Sequence, residues 1–325
     1  MEETSHVPRT NLSDLNAAVQ RVRDEIGKVI VGQTQTLDLL IAAILADGHV
    51  LLEGVPGVAK TLTAKLLAKT IAVPFSRIQF TPDLMPSDVL GTSVFNPQNG
   101  TFQYKQGPVF SNIVLIDEIN RSPAKTQAAL FEVMEEKQVT FDGTTYPMPT
   151  PFLVIATQNP IEQEGTYRLP EAQLDRFLFK INVQYPSLQE EVKILENTNE
   201  GRIAHFTDIV HGVLTAEEMQ RYRDQVSKIY VEPKILEYIA AIVQETRNNK
   251  ALYLGASPRA SVAVLKASKA FAAISGRDFV TPDDVIFIVP AVLRHRIILT
   301  PEKEMEGATA DEIVDSILKK IEVPR

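Results

Sequence analysis

Residues 54–61 read GVPGVAKT, and residues 112–120 read NIVLIDEIN. The first stretch is one residue away from a phosphate-binding loop, which asks for Gly, four residues, then Gly-Lys and Ser or Thr. Gly54, Lys60 and Thr61 match, and Ala59 stands where the second glycine belongs. In such a loop, backbone N–H groups at a helix start point at an anion, and the helix dipole favours negative charge there. Lys60 would face the β- and γ-phosphates of a nucleotide, and Thr61 would place its hydroxyl on Mg2+. Glycine is needed where φ is positive or where a side chain would block the phosphate. With helical φ at position 59, alanine fits without strain, and that is the expectation here. In the second stretch an apolar run ends in Asp117 and Glu118. Buried unpaired acids are costly. Beside a phosphate loop they have work to do: Asp117 to hold Mg2+, Glu118 to polarise an attacking water. Asn159, in ATQNP, could orient that water or sense the γ-phosphate, or it could simply open a turn before Pro160.

Certain elements must position these residues. HVLLE (49–53) reads as a buried strand and KTLTAKLLAKTIA (60–72) as a helix, the context a phosphate loop requires. FSRIQF (75–80), FLVIATQNP (152–160) and FLFKINV (177–183) read as further strands. Helical segments at 123–136 and about 170–176 lie between them. Alternating strands and helices imply an α/β fold with a parallel sheet covered on both faces. Ligands of such sheets sit at the carboxyl ends of the strands, where Gly54, Asp117 and Asn159 would converge. VFNPQNGTFQYKQGP (94–108) and KQVTFDGTTYPMP (137–149) read as hairpins around Asn-Gly and Asp-Gly. Phe95, Phe102 and Tyr104 of the first either touch a partner or pack on the domain. A helix is expected at about 12–30.

After residue 187 helices dominate, at roughly 187–198, 215–228, 233–249, 258–275 and 281–293. The expected division is therefore an α/β core over 1–187 and a smaller all-helical domain over 188–325. The chain has 325 residues, 44% hydrophobic and 23% charged, with net charge -8. The acidic balance argues against nucleic acid as the main partner. The absence of cysteine excludes disulfides and thiolate chemistry. The polar start and the lack of a long apolar run point to a cytoplasmic protein. The five histidines show no metal-ligand spacing and read as structural.

LLEGVPGVAKT, VLIDEINRSPAKTQAALFEVMEE, ATQNP, RLPEAQLDRF and GASPRA, in that order, resemble the MoxR branch of the AAA+ ATPases over about residues 12–295. Alanine before the lysine is a variant that this branch shows. The resemblance implies a P-loop core with a helical lid, binding ATP and Mg2+. It matches the loop from Gly54 through Val55, Pro56, Gly57, Val58 and Ala59 to Lys60, Thr61 and Leu62 with Walker A. Asp117 and Glu118 match Walker B, and Asn159 matches sensor 1. Val31, Gly32 and Gln33, in VIVGQ, match the segment lining the adenine pocket. Arg259 matches sensor 2, which would touch the phosphates from the lid, so that the nucleotide could set the angle between domains. Arg176 matches the arginine finger, with Arg168 as its rival and Arg121 nearby. Alternatively, Arg176 pairs with Glu171 or Asp175 of its own chain. The resemblance further implies a homo-oligomeric ring, a hexamer, that remodels a client protein with a von Willebrand factor A domain partner. A chelatase-type ATPase subunit and a nucleic-acid motor of the MCM type are the alternatives.

Overall fold

The computed structural model describes residues 11–55, 57–98, 100–159, 167, 169–200 and 206–324. Pro56, Pro160 and Arg168 lie outside them. The chain begins with α1 (Ser13–Gly27), α2 (Thr34–Leu45), β1 (His49–Glu53), α3 (Lys60–Thr70), β2 (Phe75–Gln79) and α4 (Pro86–Leu90). There follow the hairpin β3 (Gly91–Asn96) and β4 (Thr101–Gln106), then β5 (Ile113–Asp117) and α5 (Ala124–Glu136). A second hairpin, β6 (Gln138–Phe141) and β7 (Thr144–Pro147), leads to β8 (Leu153–Gln158), α6 (Glu171–Leu174) and β9 (Phe177–Asn182). The remainder is α7 (Leu188–Asn199), α8 (Phe206–Ile209), α9 (Ala216–Ser227), α10 (Pro233–Asn248), β10 (Leu252–Leu254), α11 (Pro258–Ile274), α12 (Pro282–Leu293), β11 (Ile298–Leu299), α13 (Pro301–Met305) and α14 (Ala310–Lys320).

Five strands form one parallel sheet in the order β2-β5-β8-β1-β9. IVLID and LVIAT are buried along their whole length, as strands covered on both faces must be. The register sets Gln79 beside Asp117 and Glu53 beside Gln158. The carboxyl ends of the strands thus lie side by side.

One apolar cluster fills one face of the sheet and runs on through α1 and α2 into the lid helices. A second lies on the opposite face under α5. Helix α2 was not expected from the sequence. Nine of its twelve residues are buried, so it lacks the polar stripe that marks a surface helix. Helix α1 stops at Gly27, short of the expected end. Two C-terminal helices, α13 and α14, were also missed, although Thr300 and Thr309 accept bonds from Lys303 N and Glu312 N as N-caps. The short pair β10–β11 is an antiparallel addition to the lid.

Both expected hairpins are present. Tyr104 packs rather than reaching outward: its ring stacks on Phe141 at 4.7 Å and its hydroxyl donates to Leu90 O at 2.6 Å. Phe95 and Phe102 pair across β3 and β4 at 5.2 Å and stay largely exposed. No helix among the described residues is long and apolar enough to cross a membrane.

Candidate nucleotide site

Chain geometry turns sharply between β1 and α3. Ala59 has φ 57° and ψ 19° and stands at the N-cap of α3. The expectation of helical φ there is therefore corrected: the residue is left-handed, the conformation that favours glycine. A Cβ in that region costs roughly 1–2 kcal/mol. Alanine occupies the position with strain, and the surrounding loop must hold it there. Gly57, at φ 87°, has open space where a Cβ would stand.

No side chain caps the start of α3. Its first-turn N–H groups, from Lys60, Thr61 and Leu62, have no intrahelical acceptor. They form the donor set that a phosphate group requires. Lys60 reaches back over the loop and donates to Gly54 O at 2.6 Å. Burial lowers its pKa, and the charges of Asp117, Glu53 and Glu118 oppose that shift. Val58 is buried, and Val55 and Leu62 pack against the core; together they anchor the loop. Gly54 is pressed against the chain leaving β9, since a Cβ there would meet Val183 O at 2.7 Å.

The adenine-segment candidates adjoin the loop. Gln33 is left-handed at φ 56° and donates from Nε2 to Val58 O at 2.8 Å. Gly32, at φ 69°, lies against Glu190 of α7. Val31 precedes them, partly buried.

Asp117 ends β5 and is buried. Its Oδ2 accepts from Arg77 Nε at 2.6 Å and its Oδ1 from Thr157 Oγ1 at 3.0 Å. Glu118 follows in the left-handed region, φ 56° and ψ 51°. This turn sends its carboxylate towards Gln79 Nε2, at 2.8 Å, and Arg121 Nε, at 3.1 Å. Strained backbone of this kind is characteristic of functional positions. Asn159 follows β8 directly, at the same end of the sheet. Arg77, Gln79 and Thr157 were missed in the sequence. Gln79 and Thr157 fall near strand ends, and Arg77 is a charged residue in the middle of an edge strand.

The donor set fits Mg2+. Thr61 and Asp117 offer hard oxygen ligands, and Mg2+ takes one or two protein oxygens and completes its shell with phosphate and water. Among the described residues no cluster of three His, Cys, Asp or Glu could hold a metal without such help.

Two predicted residues lie elsewhere. Arg176 immediately precedes β9, at the amino end of the sheet. Its Nη1 donates to Phe131 O at 2.9 Å, and it pairs with Glu135 near the end of α5. Glu171 and Asp175, the partners of the alternative reading, are not the ones used: Asp175 is held by Arg296. Arg259, in the first turn of α11, pairs with the same Glu135 at 3.4 Å. The end of α5 lies under the start of β1, because His49 Nε2 meets Met134 O at 3.0 Å. Arg259 therefore stands at the amino end of the sheet and not over its own phosphate loop. With a strand rise of ~3.3 Å per residue, the length of β1 separates the two ends by roughly 13 Å before the loop begins.

The amino end carries residues that no sequence pattern announced. Arg296 is buried; its Nε donates to Asp175 Oδ1 at 2.6 Å. Its other nitrogens donate to Asp175 O, Phe177 O, Leu178 O and Val292 O. This one side chain fastens the lid to the edge strand on both sides of Arg176. His295 is buried beside it, and His49 is buried at the same end of the sheet. His49 accepts Val154 N–H at Nδ1, and burial pushes its pKa down to about 4. His295 faces Phe177 O, and burial with the nearby Arg296 holds its pKa well below the usual value. Both histidines are structural, as expected.

The chain matches the model of the ATPase family associated with various cellular activities over residues 49–179, and that of the AAA lid domain over residues 244–317. It is 47% identical to the uncharacterised protein YeaC of Bacillus subtilis, covering 96% of each chain. It is 43% identical to the chaperone MoxR1 of Mycobacterium tuberculosis, covering 94% of this chain and 82% of that one. The crystal structure of a Cytophaga hutchinsonii protein assigned as an ATPase superposes with TM-score 0.89 at 42% identity, over 97% of both chains. A phosphate loop after β1, paired acids at the end of β5 and these relatives lead to one conclusion: the chain belongs to the MoxR family of AAA+ ATPases.

Proposed function

We propose that the chain assembles head to tail into a ring, a hexamer by family resemblance, whose Mg2+-dependent ATP hydrolysis remodels a client protein. The observation that carries this reading is the separation just described. Lys60, Asp117 and Glu118 gather at the carboxyl end of the sheet, while Arg176 and Arg259 sit on Glu135 at the amino end. A chain whose cations lie away from its own nucleotide can use them on a neighbour's. A contact between unlike ends of identical chains generates a ring when its rotation closes. Arg176 and Arg259 then both serve the next subunit, and the finger role of Arg168 becomes unnecessary.

Within one site the roles follow from position. The amides of α3 and Lys60 bind the phosphates, and Val31, Gly32 and Gln33 border the base. Thr61 and Asp117 would hold Mg2+, which neutralises charge on the phosphate oxygens. Glu118 orients water and takes its proton, and Asn159 helps to place that water. The chaperone role follows MoxR1. A cytoplasmic location and a partner with a von Willebrand factor A domain belong to the same proposal. The exposed pair Phe95–Phe102 is a candidate client contact.

Glu118→Gln tests the site. It keeps Asp117 for the metal and removes the base, so ATP binding should persist while turnover falls about 10²–10⁴-fold. Turnover within about threefold of the parent would assign the base elsewhere.

A further inference from the structure

Helix α7 buries only Asn197 of its twelve residues. Yet Leu188, Val192 and Leu195 follow one another at spacings of four and three, which is a single apolar stripe. They are 79%, 48% and 64% exposed. Tyr185, just ahead of the helix, is exposed as well. Most helical stability in proteins comes from packing an apolar face, and α7 has such a face left exposed among the described residues. Contiguous exposed apolar surface marks an interaction site. The position of the stripe is informative. Glu190, in the first turn of α7, sits against Gly32, and Val183 N donates to Glu53 O at 2.7 Å where the chain leaves the sheet. The stripe therefore borders the nucleotide end.

A second apolar surface lies in the lid near Arg259. Tyr253, Leu254 and Val262 are exposed, and Val262 follows Arg259 by three residues on α11, on the same helix face. Charge distinguishes the two surfaces. Residues 247–262 carry the exposed cations Arg247, Lys250 and Arg259 and no acid. Helix α7 carries Glu190, Glu191 and Glu196 against Lys193 alone.

We infer that the α7 stripe docks on the Tyr253–Val262 surface of a second copy of this chain, and that this contact delivers that copy's Arg259 and Arg176 to the nucleotide. The inference rests on the ring reading above and names its interface. The two surfaces lie towards opposite ends of the sheet and differ in charge, so one chain cannot satisfy both with itself, and a symmetric pair would set like charges together. The contact is heterologous and repeats around a ring. Leu188, Val192 and Leu195 enter the Tyr253–Val262 surface, while the glutamates of α7 meet Arg247 and Lys250.

The absence of cysteine in the chain makes a direct test possible. Leu195→Cys, Val262→Cys and the double variant are prepared as full-length chains with Mg2+ and a non-hydrolysable ATP analogue. Assembly is read by sedimentation velocity, and pairing by a short bis-maleimide followed by a denaturing gel. The double variant should give a ladder of cross-linked multimers. An equimolar mixture of the single variants should give dimers, and each single variant alone should give monomers. Leu195→Glu should weaken assembly at least tenfold at an unchanged melting temperature, because the side chain is exposed in the monomer. Assembly that persists in Leu195→Glu, with no ladder from the double variant, would overturn this interface and leave the ring intact. Cross-linking of Leu195→Cys to itself would replace the heterologous contact by a symmetric one. Failure of the parent chain to assemble at any concentration would remove the ring, and this inference with it.

Discussion

At the carboxyl end of the sheet, Lys60 lies among Glu53, Asp117 and Glu118, and the amides of α3 have no side-chain cap. Gln33, Ala59 and Glu118 all hold left-handed backbone there. Left-handed residues occur at the amino end as well, at Asp47 and Lys137, but its charged groups are differently used. Arg296 spends its donors on Asp175 and four backbone carbonyls, Glu135 holds two arginines, and two histidines are buried neutral. The first end keeps strain and donors whose best partner is a phosphate. The second end has its cations paired within the chain. On the proposed ring, what separates them is the difference between binding a ligand and presenting a group. A binding loop can carry strain that the ligand's contacts offset, whereas an arginine presented to a neighbour needs a rigid platform. Arg176 stands on such a platform, flanked by backbone that Arg296 holds from the lid.

Removing the platform should have the largest effect on stability. Arg296→Ala leaves Asp175 and buried carbonyls without their donor, and breaking a buried pair typically costs about 3–5 kcal/mol. The matching change at the other end, Arg77→Ala, removes a partner that is half exposed and should cost less than about 1 kcal/mol. Urea unfolding of both variants decides the matter. Similar losses would erase the contrast between the two ends.

Acid should loosen the amino end next. Above the ordinary histidine pKa of about 6.5, His49 and His295 are neutral in both the folded and the unfolded chain and contribute no pH dependence. Below it the unfolded chain takes up protons that the folded chain refuses, down to about pH 4 for His49. Stability should therefore fall as pH drops from 6.5 to 5, by on the order of 1 kcal/mol per pH unit for each histidine. Melting temperatures across that window give the slope, and His49→Gln should reduce it. A flat profile would mean that both imidazoles reach solvent.

The smallest change concerns Ala59. Glycine accepts left-handed φ without the Cβ penalty, so Ala59→Gly should stabilise the fold by up to about 1 kcal/mol. That is a rise of a degree or two in melting temperature for a chain of this size. A fall instead would show that the loop does not hold Ala59 left-handed.

How much of this was legible in the sequence depends on the range of the cause. Strand, loop and helix around Lys60, and the apolar run ending in Asp117-Glu118, are local patterns, and they read correctly. The parallel sheet followed from their alternation. The α2 segment TQTLDLLIAAIL did not read as a helix because burial on nearly every side erased its periodicity. Thr309 with Glu312 was a readable capping box that went unused. The φ of Ala59 depends on how the loop is gripped, which spacing does not encode. Arg296 meets Asp175 across 121 residues, and Glu135 meets Arg259 across 124. Neither pairing leaves a trace in either local stretch. For that reason Arg259 read as a residue over its own phosphates, while the fold sets it beside Arg176.

The central claim is that one nucleotide site draws on both ends of the sheet, from two subunits. Mixing two inactive variants tests it most directly. Arg176→Ala keeps its phosphate loop and loses a group worth about 10³–10⁵ in rate. Lys60→Ala loses nucleotide binding but keeps its arginine. Alone, each should be nearly inactive. Co-assembled under conditions of subunit exchange, they form some interfaces with an intact Lys60 on one side and an intact Arg176 on the other. ATPase activity plotted against mixing ratio should rise from background at both extremes to a maximum between them. A line flat at background, with co-assembly confirmed by sedimentation, would contradict the shared site and confine Arg176 to its own chain.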